Sequence, residues 1–459
     1  MSYSPHLRTA VLLSGNGTGG AYHAGVLRAL HEAGIKVDVM SGRGIGVVGA
    51  LFAAIDAGAK TWEDGGVWRV KPSPRVYRWR PPLHWAGLFV LAAVAVLAVP
   101  LLVLATGLVA YPLSFLIQMV SVDTGFRVAA AYADMVRYAF APAMLPTVIP
   151  RLVTLCLSAG VLVLVVSALR SGAGRRIVTS YGDTHGNRDR GRWWAQIIGA
   201  PWSAEPGVRH VRTSLWHVFR GPTTAKEPTP PELSRRYTEL LFENLGQPGF
   251  RELIVATLDV ETRGDLVFAA VGESRRPSFF QRSRGDLVDL SGVGRSQALD
   301  ALAASLSIPV LTEPHVISFS PESYWKGESH RICDRIGGVA RLLEELAAVG
   351  VEQVIVVCPD ADRSAPHRLS KPTGSLRSRV AEDLAAAETT AVRDAVSSHK
   401  KRFRGVFLVQ PVHNPIGPLD FHGTYDDRSD RYQNLSELID RGYEDAYRQF
   451  VEPVVGGTE

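Results

Sequence analysis

Cysteine is scarce in this chain: Cys156, Cys333 and Cys358 are the three among 459 residues, and no two form a C-x-x-C pair. That excludes a small disulfide-stapled fold and a cysteine-held zinc site, and it fits a reducing compartment. No charged-then-apolar leader occupies Met1 to Ala10, and the short run Ala10-Val11-Leu12-Leu13 reads as a buried first strand. Charge of one sign is not concentrated either. The formal balance is +5, but the Lys and Arg are spread along the chain, so no nucleic-acid surface is implied. An apolar share of 46% with 21% charged residues describes a folded protein with material for more than one core. No internal repeat is present.

A second absence is local. Between Pro81 and Val122 there is no Asp, Glu, Lys or Arg, and Trp85 to Tyr111 is almost wholly apolar, long enough to cross a bilayer. A second charge-free run, Leu152 to Leu169, lies between Arg151 and Arg170. Core helices of soluble proteins rarely avoid charge for so long, so the two runs are expected to form a membrane hairpin. Lys71, Arg75, Arg78 and Arg80 precede it and Arg170, Arg175 and Arg176 follow, whereas Asp123 to Arg137 mixes both signs. The positive-inside bias then puts the remainder of the chain on the cytoplasmic side. Pro100 and Pro112 are tolerable in such helices, and Trp85 and Tyr111 are either interface anchors or simple packing.

The remainder alternates as an α/β domain does. Strands are expected at Ala10 to Ser14, Val37 to Met40, Glu252 to Thr257, Leu266 to Val271, Val351 to Val357 and Gly405 to Gln410. Helices are expected at Ala21 to Ala33, Val47 to Ala57, Pro231 to Leu245, Ser296 to Ala304, Gly338 to Val349, Arg379 to His399 and Leu435 to Phe450. Gly172 to Pro230, rich in Gly, Pro, Arg and Trp, reads as an irregular linker, and Pro359 to Ser378 as a looser connection. The organisation expected is therefore an α/β portion over 1–70, the hairpin insertion over 81–170, a linker over 171–230 and the second α/β portion over 231–459.

Two glycine turns stand out. The first runs Ser14-Gly15-Asn16-Gly17-Thr18-Gly19-Gly20 into Ala21-Tyr22-His23. Glycines here permit positive φ and let backbone N–H groups converge at a helix start, which makes an anion or oxyanion cradle. The second is Ser41-Gly42-Arg43-Gly44-Ile45-Gly46, running straight into an apolar helix. It has the form of the nucleophile turn of a G-x-S-x-G hydrolase, with Gly44 where the Ser would stand. Glycine has no atom with which to attack, so no acyl-enzyme forms through that residue. Gly15, Gly17 and Gly20, and likewise Gly44, Gly46 and Gly49, also satisfy G-x-G-x-x-G, which leaves a dinucleotide site as an alternative. Against it, Asp38 lies in the next strand rather than at its end, where a ribose would be met.

The two turns, one helix and one strand apart, closely resemble the patatin-like phospholipase family. Tyr22, Gly25, Leu27, Leu30 and Gly34 stand where that family places similar residues, and Ala304-Ser305-Leu306-Ser307-Ile308-Pro309 is similar to its A-S-x-x-I-P stretch. The resemblance implies a three-layer α/β/α fold with a mostly parallel sheet, an oxyanion-type loop at Gly15, Asn16, Gly17, Thr18, Gly19 and Gly20, and lipid acyl groups as ligands. It also implies a Ser-Asp dyad, whose Asp belongs to a D-G-G or D-G-A motif. Here Gly44, flanked by Gly42 and Gly46, takes the Ser position, Gly19 the usual loop arginine, and Asn16 the middle glycine. By register from Pro309 and Tyr324, Lys326 falls at the dyad Asp, among Glu328, His330 and Asp334.

A dyad needs an attacking oxygen within hydrogen-bond reach of a carboxylate, and both matched positions lack theirs. The expected function is a membrane-anchored, cytoplasm-facing family member without dyad hydrolysis, bound to membrane lipid or acyl groups through a pocket at the cradle Gly15 to Gly20. It implies no metal and no cofactor, and leaves the oligomeric state open. An active acyl hydrolase with a displaced nucleophile, Ser41 or Ser14, is the alternative. Misplacement by an ångström costs about 100-fold in rate, which favours ordinary strand-end hydrogen bonding for both serines. His23 is expected on a solvated helix face, although it could reach an anion in the cradle. Lys326 could pair with a lipid phosphate. The group His413, Asn414, Pro415, His422, Asp426 and Asp427 lacks metal-ligand spacing and reads as a loop with Asx turns. The charges of Leu435 to Phe450 read as a solvated face.

Overall fold

The computed structural model describes residues 3–70, 76–178, 199–221, 225–282, 285–360, 376–411 and 435–455. His413, Asn414, Pro415, His422, Asp426, Asp427, Lys71 and Arg75 lie outside them, as does most of the connection from Pro359 to Ser378. The chain divides into two compact units, Met1–Arg78 with Trp202–Glu459, and Trp79–Pro201.

The first unit is built on a sheet whose strands follow the apolar runs of the sequence. They are β1 (Thr9–Leu13), β2 (Val39–Gly42), β3 (Glu252–Asp259), β4 (Gly264–Ala270), β5 (Leu287–Asp289), β6 (His315–Ser318), β7 (Ser329–Cys333), β8 (Gln353–Val357) and β9 (Gly405–Val409). The order is β9-β8-β1-β2-β3-β4-β5, with β7 pairing antiparallel to the end of β3 and β6 to β7. Strands β9, β8, β1, β2 and β3 are mutually parallel, and β4 returns antiparallel along β3. Successive residues point to opposite faces, so Val11, Leu13, Met40, Ile355 and Val357 enter one core while Ala10, Leu12, Val39, Val354 and Val356 enter the other. A sheet buried on both faces explains why these strands read as continuous apolar runs without alternation.

Eight helices of this unit are numbered here: α1 (Gly19–Glu32), α2 (Gly46–Ala54), α3 (Glu205–Arg220), α4 (Pro230–Asn244), α5 (Ala298–Leu306), α6 (Val339–Ala348), α7 (Leu376–His399) and α8 (Leu435–Ala446). Residues of α1, α2, α3, α4, α5 and α8 fill the first core, and those of α6 and α7 the second. The layers are thus α/β/α with a mostly parallel sheet. Two local expectations change. Residues 205–220 form the amphipathic helix α3, burying Val211, Leu215 and Trp216, instead of irregular linker. On α8 the charged Asp445 is buried and accepts a hydrogen bond from the Tyr22 hydroxyl at 3.2 Å, so one of its charges is not on a solvated face.

In the second unit, helix Pro81–Ala105 packs along helix Ile149–Val178. Small residues line the contact: Ala86 and Ala93 are buried, and a Cβ on Gly160 would lie 3.4 Å from Phe89 Cβ. Helices Gly107–Gln118 and Val122–Ala139 form a second pair. Two stretches, Pro81–Gln118 and Val122–Leu169, are long and apolar enough to cross a membrane, with 11% and 6% of their most apolar windows buried. Pro100 and Pro112 lie inside helices.

The tightest helix crossing of the first unit is between α1 and α8. A Cβ on Gly25 would lie 1.8 Å from the Ile439 carbonyl oxygen, and one on Gly442 would lie 2.1 Å from the Tyr22 oxygen. Gly25→Ala is therefore expected to cost on the order of 1–3 kcal/mol by overpacking. Gly87→Ala, with nothing within 4 Å, should leave stability unchanged or raise it. Thermal unfolding distinguishes the two, and equal melting temperatures would mean that α1 and α8 do not meet as described.

Candidate functional site

The two glycine turns come together because their strands are parallel neighbours. Leu12 pairs with Ser41 and Leu13 with Gly42, so β1 and β2 end side by side and their following loops share one edge of the sheet. The loops are stitched by backbone: Arg43 N–H donates to the Leu13 carbonyl at 3.1 Å and Ile45 N–H to the Gly15 carbonyl at 3.0 Å. Gly44 has φ +55, Gly15 φ +129 and Gly17 φ +57. The left-handed backbone at position 44 is the sharp strand-to-helix turn expected of an elbow.

A side chain at position 44 has no room. Its Cβ would lie 2.2 Å from the Gly15 carbonyl oxygen and 3.3 Å from Asn16 Oδ1. The same carbonyl occupies the N–H of Ile45, the group that follows the nucleophile position and serves as an oxyanion donor in hydrolases of this turn type. The cradle is filled as well. A Cβ on Gly15 or Gly19 would strike Pro359, and one on Gly20 would strike Trp68 and Ile45. Gly15, Gly17, Thr18, Gly19 and Gly20 are buried, and Asn16 is half-buried.

The side chain that dominates the site is Arg43. Its guanidinium is fully buried and forks onto Asp334, through Nε to Oδ1 at 3.1 Å and Nη2 to Oδ2, while Nη1 donates to Glu388 Oε2. Nη2 also lies 3.4 Å from Asn16 Oδ1. Asp334 follows β7 directly, and Glu388 comes from the middle of α7. The Gly44 N–H also acts on Asp334, favouring its ionised form, so one carboxylate feels both Arg43 and the elbow glycine. Burial works against the charge on Arg43, but Asp334 and Glu388 outweigh it and raise its pKa above the ordinary arginine value. Asp334 is raised by burial and by Glu388, against the pull of Arg43 and the Gly44 N–H. Nearby, burial pushes Cys333 up to about 12, with Asp334 and Asp259 adding, and Tyr77 is raised by burial and Asp334.

The other candidates fall into place around this ion cluster. Ser41 Oγ donates to the Val11 carbonyl at 3.2 Å and Ser14 Oγ to the Val357 carbonyl at 3.4 Å, both buried as strand-end hydrogen bonds. His23 is fully buried rather than solvated; its Nε2–H donates to the Ser14 carbonyl at 2.8 Å and burial lowers its pKa to about 4. Lys326 lies in the exposed turn between β6 and β7 with φ +46. The register from Pro309 runs into this β6–β7 hairpin, and the carboxylate beside Gly44 is Asp334, at the hairpin's far end. His330 joins Asp259 at 2.6 Å and Glu328 at 3.3 Å. Among the described residues no cluster of His, Cys, Asp or Glu could hold a metal ion. A cleft of 1120 Å³ lies at the opposite end of the sheet, where Arg8, Asp38 and Glu252 flank the strand starts.

Arg43, Glu388 and Pro359 were not among the candidates drawn from sequence. Arg43 sits in the elbow motif as its variable residue, and Asp334 is followed by Gly337 and Gly338 after a strand. That spacing is a usable signal for the carboxylate. Nothing comparable marks Glu388, which reaches the site only through the packing of α7.

No protein-family model matches the chain. A patatin-like phospholipase domain-containing protein of Caenorhabditis elegans is 41% identical over 68 residues, 13% of this chain and 5% of its own length. Patatin-like phospholipase domain-containing protein 6 of human and of mouse is in each case 42% identical over 60 residues, 13% of this chain and 4% of theirs. The chain therefore matches one twentieth or less of the length of these relatives. Among solved structures, VipD from Legionella pneumophila aligns over 98% of this chain and 67% of its own at 12% identity with a TM-score of 0.31, a likeness too low to carry an argument. A short segment of the chain is thus homologous to patatin-like phospholipase domains, and the whole has a mixed α/β fold with a mostly parallel sheet.

Arg43→Met would leave two carboxylates in a dry site and should destabilise the fold by about 3–5 kcal/mol at neutral pH. A carboxyl held above its ordinary pKa keeps its proton in the folded state where the unfolded chain has lost it, so its stabilising share is greatest at low pH and falls as pH rises. Asp334 is raised already and rises further without Arg43. The melting-temperature deficit of Arg43→Met should then be small near about pH 5 and grow toward about pH 8. A deficit independent of pH would remove Asp334 from the account.

Proposed function

We propose that this chain is a membrane-anchored member of the patatin-like phospholipase family that does not hydrolyse through a Ser-Asp dyad. In this reading Asp334 is the retained dyad carboxylate, and Arg43 has become its permanent partner where a serine hydroxyl would be. The observation that carries the proposal is the geometry at Gly44: no attacking oxygen, a Gly15 carbonyl in the space a side chain would need, and a carboxylate committed to a guanidinium. A base bonded in this way cannot accept a proton from a nucleophile without first breaking a buried ion pair.

The homology of a short segment to patatin-like phospholipase domains supports the family, and the exposed apolar helices of the second unit support the membrane. We place the first unit on the cytoplasmic side from the basic flanks of those helices. With the cradle packed by Pro359 and Trp68, the lipid contact we propose is through the apolar helices, with acyl chains as the ligand.

The detergent-solubilised chain, offered lysophospholipid and short-chain acyl esters, should show no turnover above the protein-free rate. A fluorophosphonate probe should leave it unlabelled. A covalent adduct on Ser14, Ser41 or any other serine would refute the non-hydrolytic reading. Gly44→Ser tests the geometry from the other side. Its left-handed backbone costs a side chain about 1–2 kcal/mol before the overlap with Gly15 is counted. The variant should therefore melt earlier and stay inactive; gain of esterase activity would mean that Asp334 remains free to act as a base.

A further inference from the structure

Resting on the membrane reading above, we infer that residues 107–139 form an interfacial helical hairpin, seated in the leaflet opposite to the two ends of the second unit. Its apolar helix faces acyl chains, and its charged stripe faces water.

Length comes first. Helix Pro81–Ala105 has 25 residues. At 1.5 Å per residue it reaches about 37 Å, already beyond the ~30 Å hydrocarbon core. Helix Ile149–Val178 packs along it and brings the chain back. The chain between them therefore lies at the far face of the bilayer, with no hydrocarbon left to span. Yet Gly107–Gln118 exposes Leu108 (81%), Val109 (68%), Phe115 (64%) and Leu116 (60%). Apolar surface of that extent is disfavoured in water, and it is continuous with the spanning helix through Thr106 alone.

The second helix supplies the polarity. On Val122–Ala139 the charged residues are Asp123, Arg127, Asp134 and Arg137. At 100° per residue these four fall within an arc of about 80°. The opposite side packs on the first helix: a Cβ on Gly125 would lie 2.7 Å from the Ser114 oxygen, Ser114 Oγ donates to the Gly125 carbonyl at 2.8 Å, and the Tyr132 ring meets that of Tyr111 edge-on with centroids 5.1 Å apart. The polar stripe thus points away from the apolar helix. Asp134 and Arg137 sit 3.4 Å apart on it. A two-layer hairpin, apolar below and charged above, matches a membrane interface, where an amphipathic element lies in the plane with its apolar side at the acyl boundary.

The experiment uses the full chain carrying Cys156→Ser, reconstituted in phosphatidylcholine–phosphatidylglycerol vesicles and labelled with an environment-sensitive fluorophore at single introduced cysteines. Leu116→Cys should give blue-shifted emission quenched by brominated acyl chains. Asp134→Cys should give red-shifted emission, quenched several-fold more strongly by aqueous iodide. Equal iodide quenching at both positions would place the hairpin in water, and bromolipid quenching at both would place it wholly in hydrocarbon; either overturns the inference. Disulfide dimers through Leu116→Cys, shielded from bromolipid, would show instead that a second copy covers this face, and would overturn it too. Labels at Leu91→Cys and Leu155→Cys separate this from the reading beneath it. If those positions are also open to iodide, membrane anchoring fails; if they are quenched only by lipid while Leu116 is not, the interfacial hairpin alone fails.

Discussion

The buried guanidinium of Arg43 is the interaction on which the candidate site depends. It fastens three segments far apart in the chain: the turn after β2, the end of β7 at Asp334, and the middle of α7 at Glu388. Taking three charges out of water is costly, and their mutual attraction repays that cost only with good geometry and further hydrogen bonds. The fork onto Asp334 and the contact with Asn16 supply those bonds. One atom of the cluster, Glu388 Oε1, is buried with no partner, so two carboxylates share a single guanidinium imperfectly. A buried ion cluster of this kind is weak evidence for net stability; what its geometry does is tie α7 to the β7 turn.

Around this cluster the backbone makes a sharp strand-to-helix turn in which the space and the hydrogen-bonding groups are already occupied. The strand, left-handed turn and helix are all present at Val39–Gly42, Gly44 and Gly46–Ala54. The space for a nucleophile is taken by the Gly15 carbonyl, the N–H after it is already bonded, and the nearest carboxylate is paired. Each feature follows from the same close approach of two parallel strand ends. Glycine at position 44 is accordingly a packing requirement of this turn as well as a chemical absence.

Much of the fold could be read from the residues. Six strand runs and seven helical runs emerge from apolar periodicity because the central strands are buried on both faces, and each corresponds to an element of the structure. The strands at Leu287–Asp289, His315–Ser318 and Ser329–Cys333 escape because their burial is interrupted and leaves no continuous apolar run. Helix Glu205–Arg220 escapes for a different reason: its arginines and histidines sit among glycine and proline, which mask an apolar stripe that shows only once Val211, Leu215 and Trp216 are seen packed. At the site, Gly44 and the cradle glycines were legible because glycine in a turn has a local cause. Asp334 was visible only as a neighbour of Lys326, since counting along the chain could not anticipate the hairpin that carries Lys326 out to solvent.

The sequence by itself determined the alternation of strands and helices, the charge-free runs that form the second unit's helices, and the absence of an attacking atom at Gly44. These are local properties, written in period, composition and residue type. Tertiary structure alone decided that Arg43 would meet Asp334 and Glu388, that Gly15 would fill the elbow, and that His23 would be buried. The first two join residues tens to hundreds of positions apart, and only the parallel pairing of β1 with β2 and the docking of α7 bring them within bonding distance.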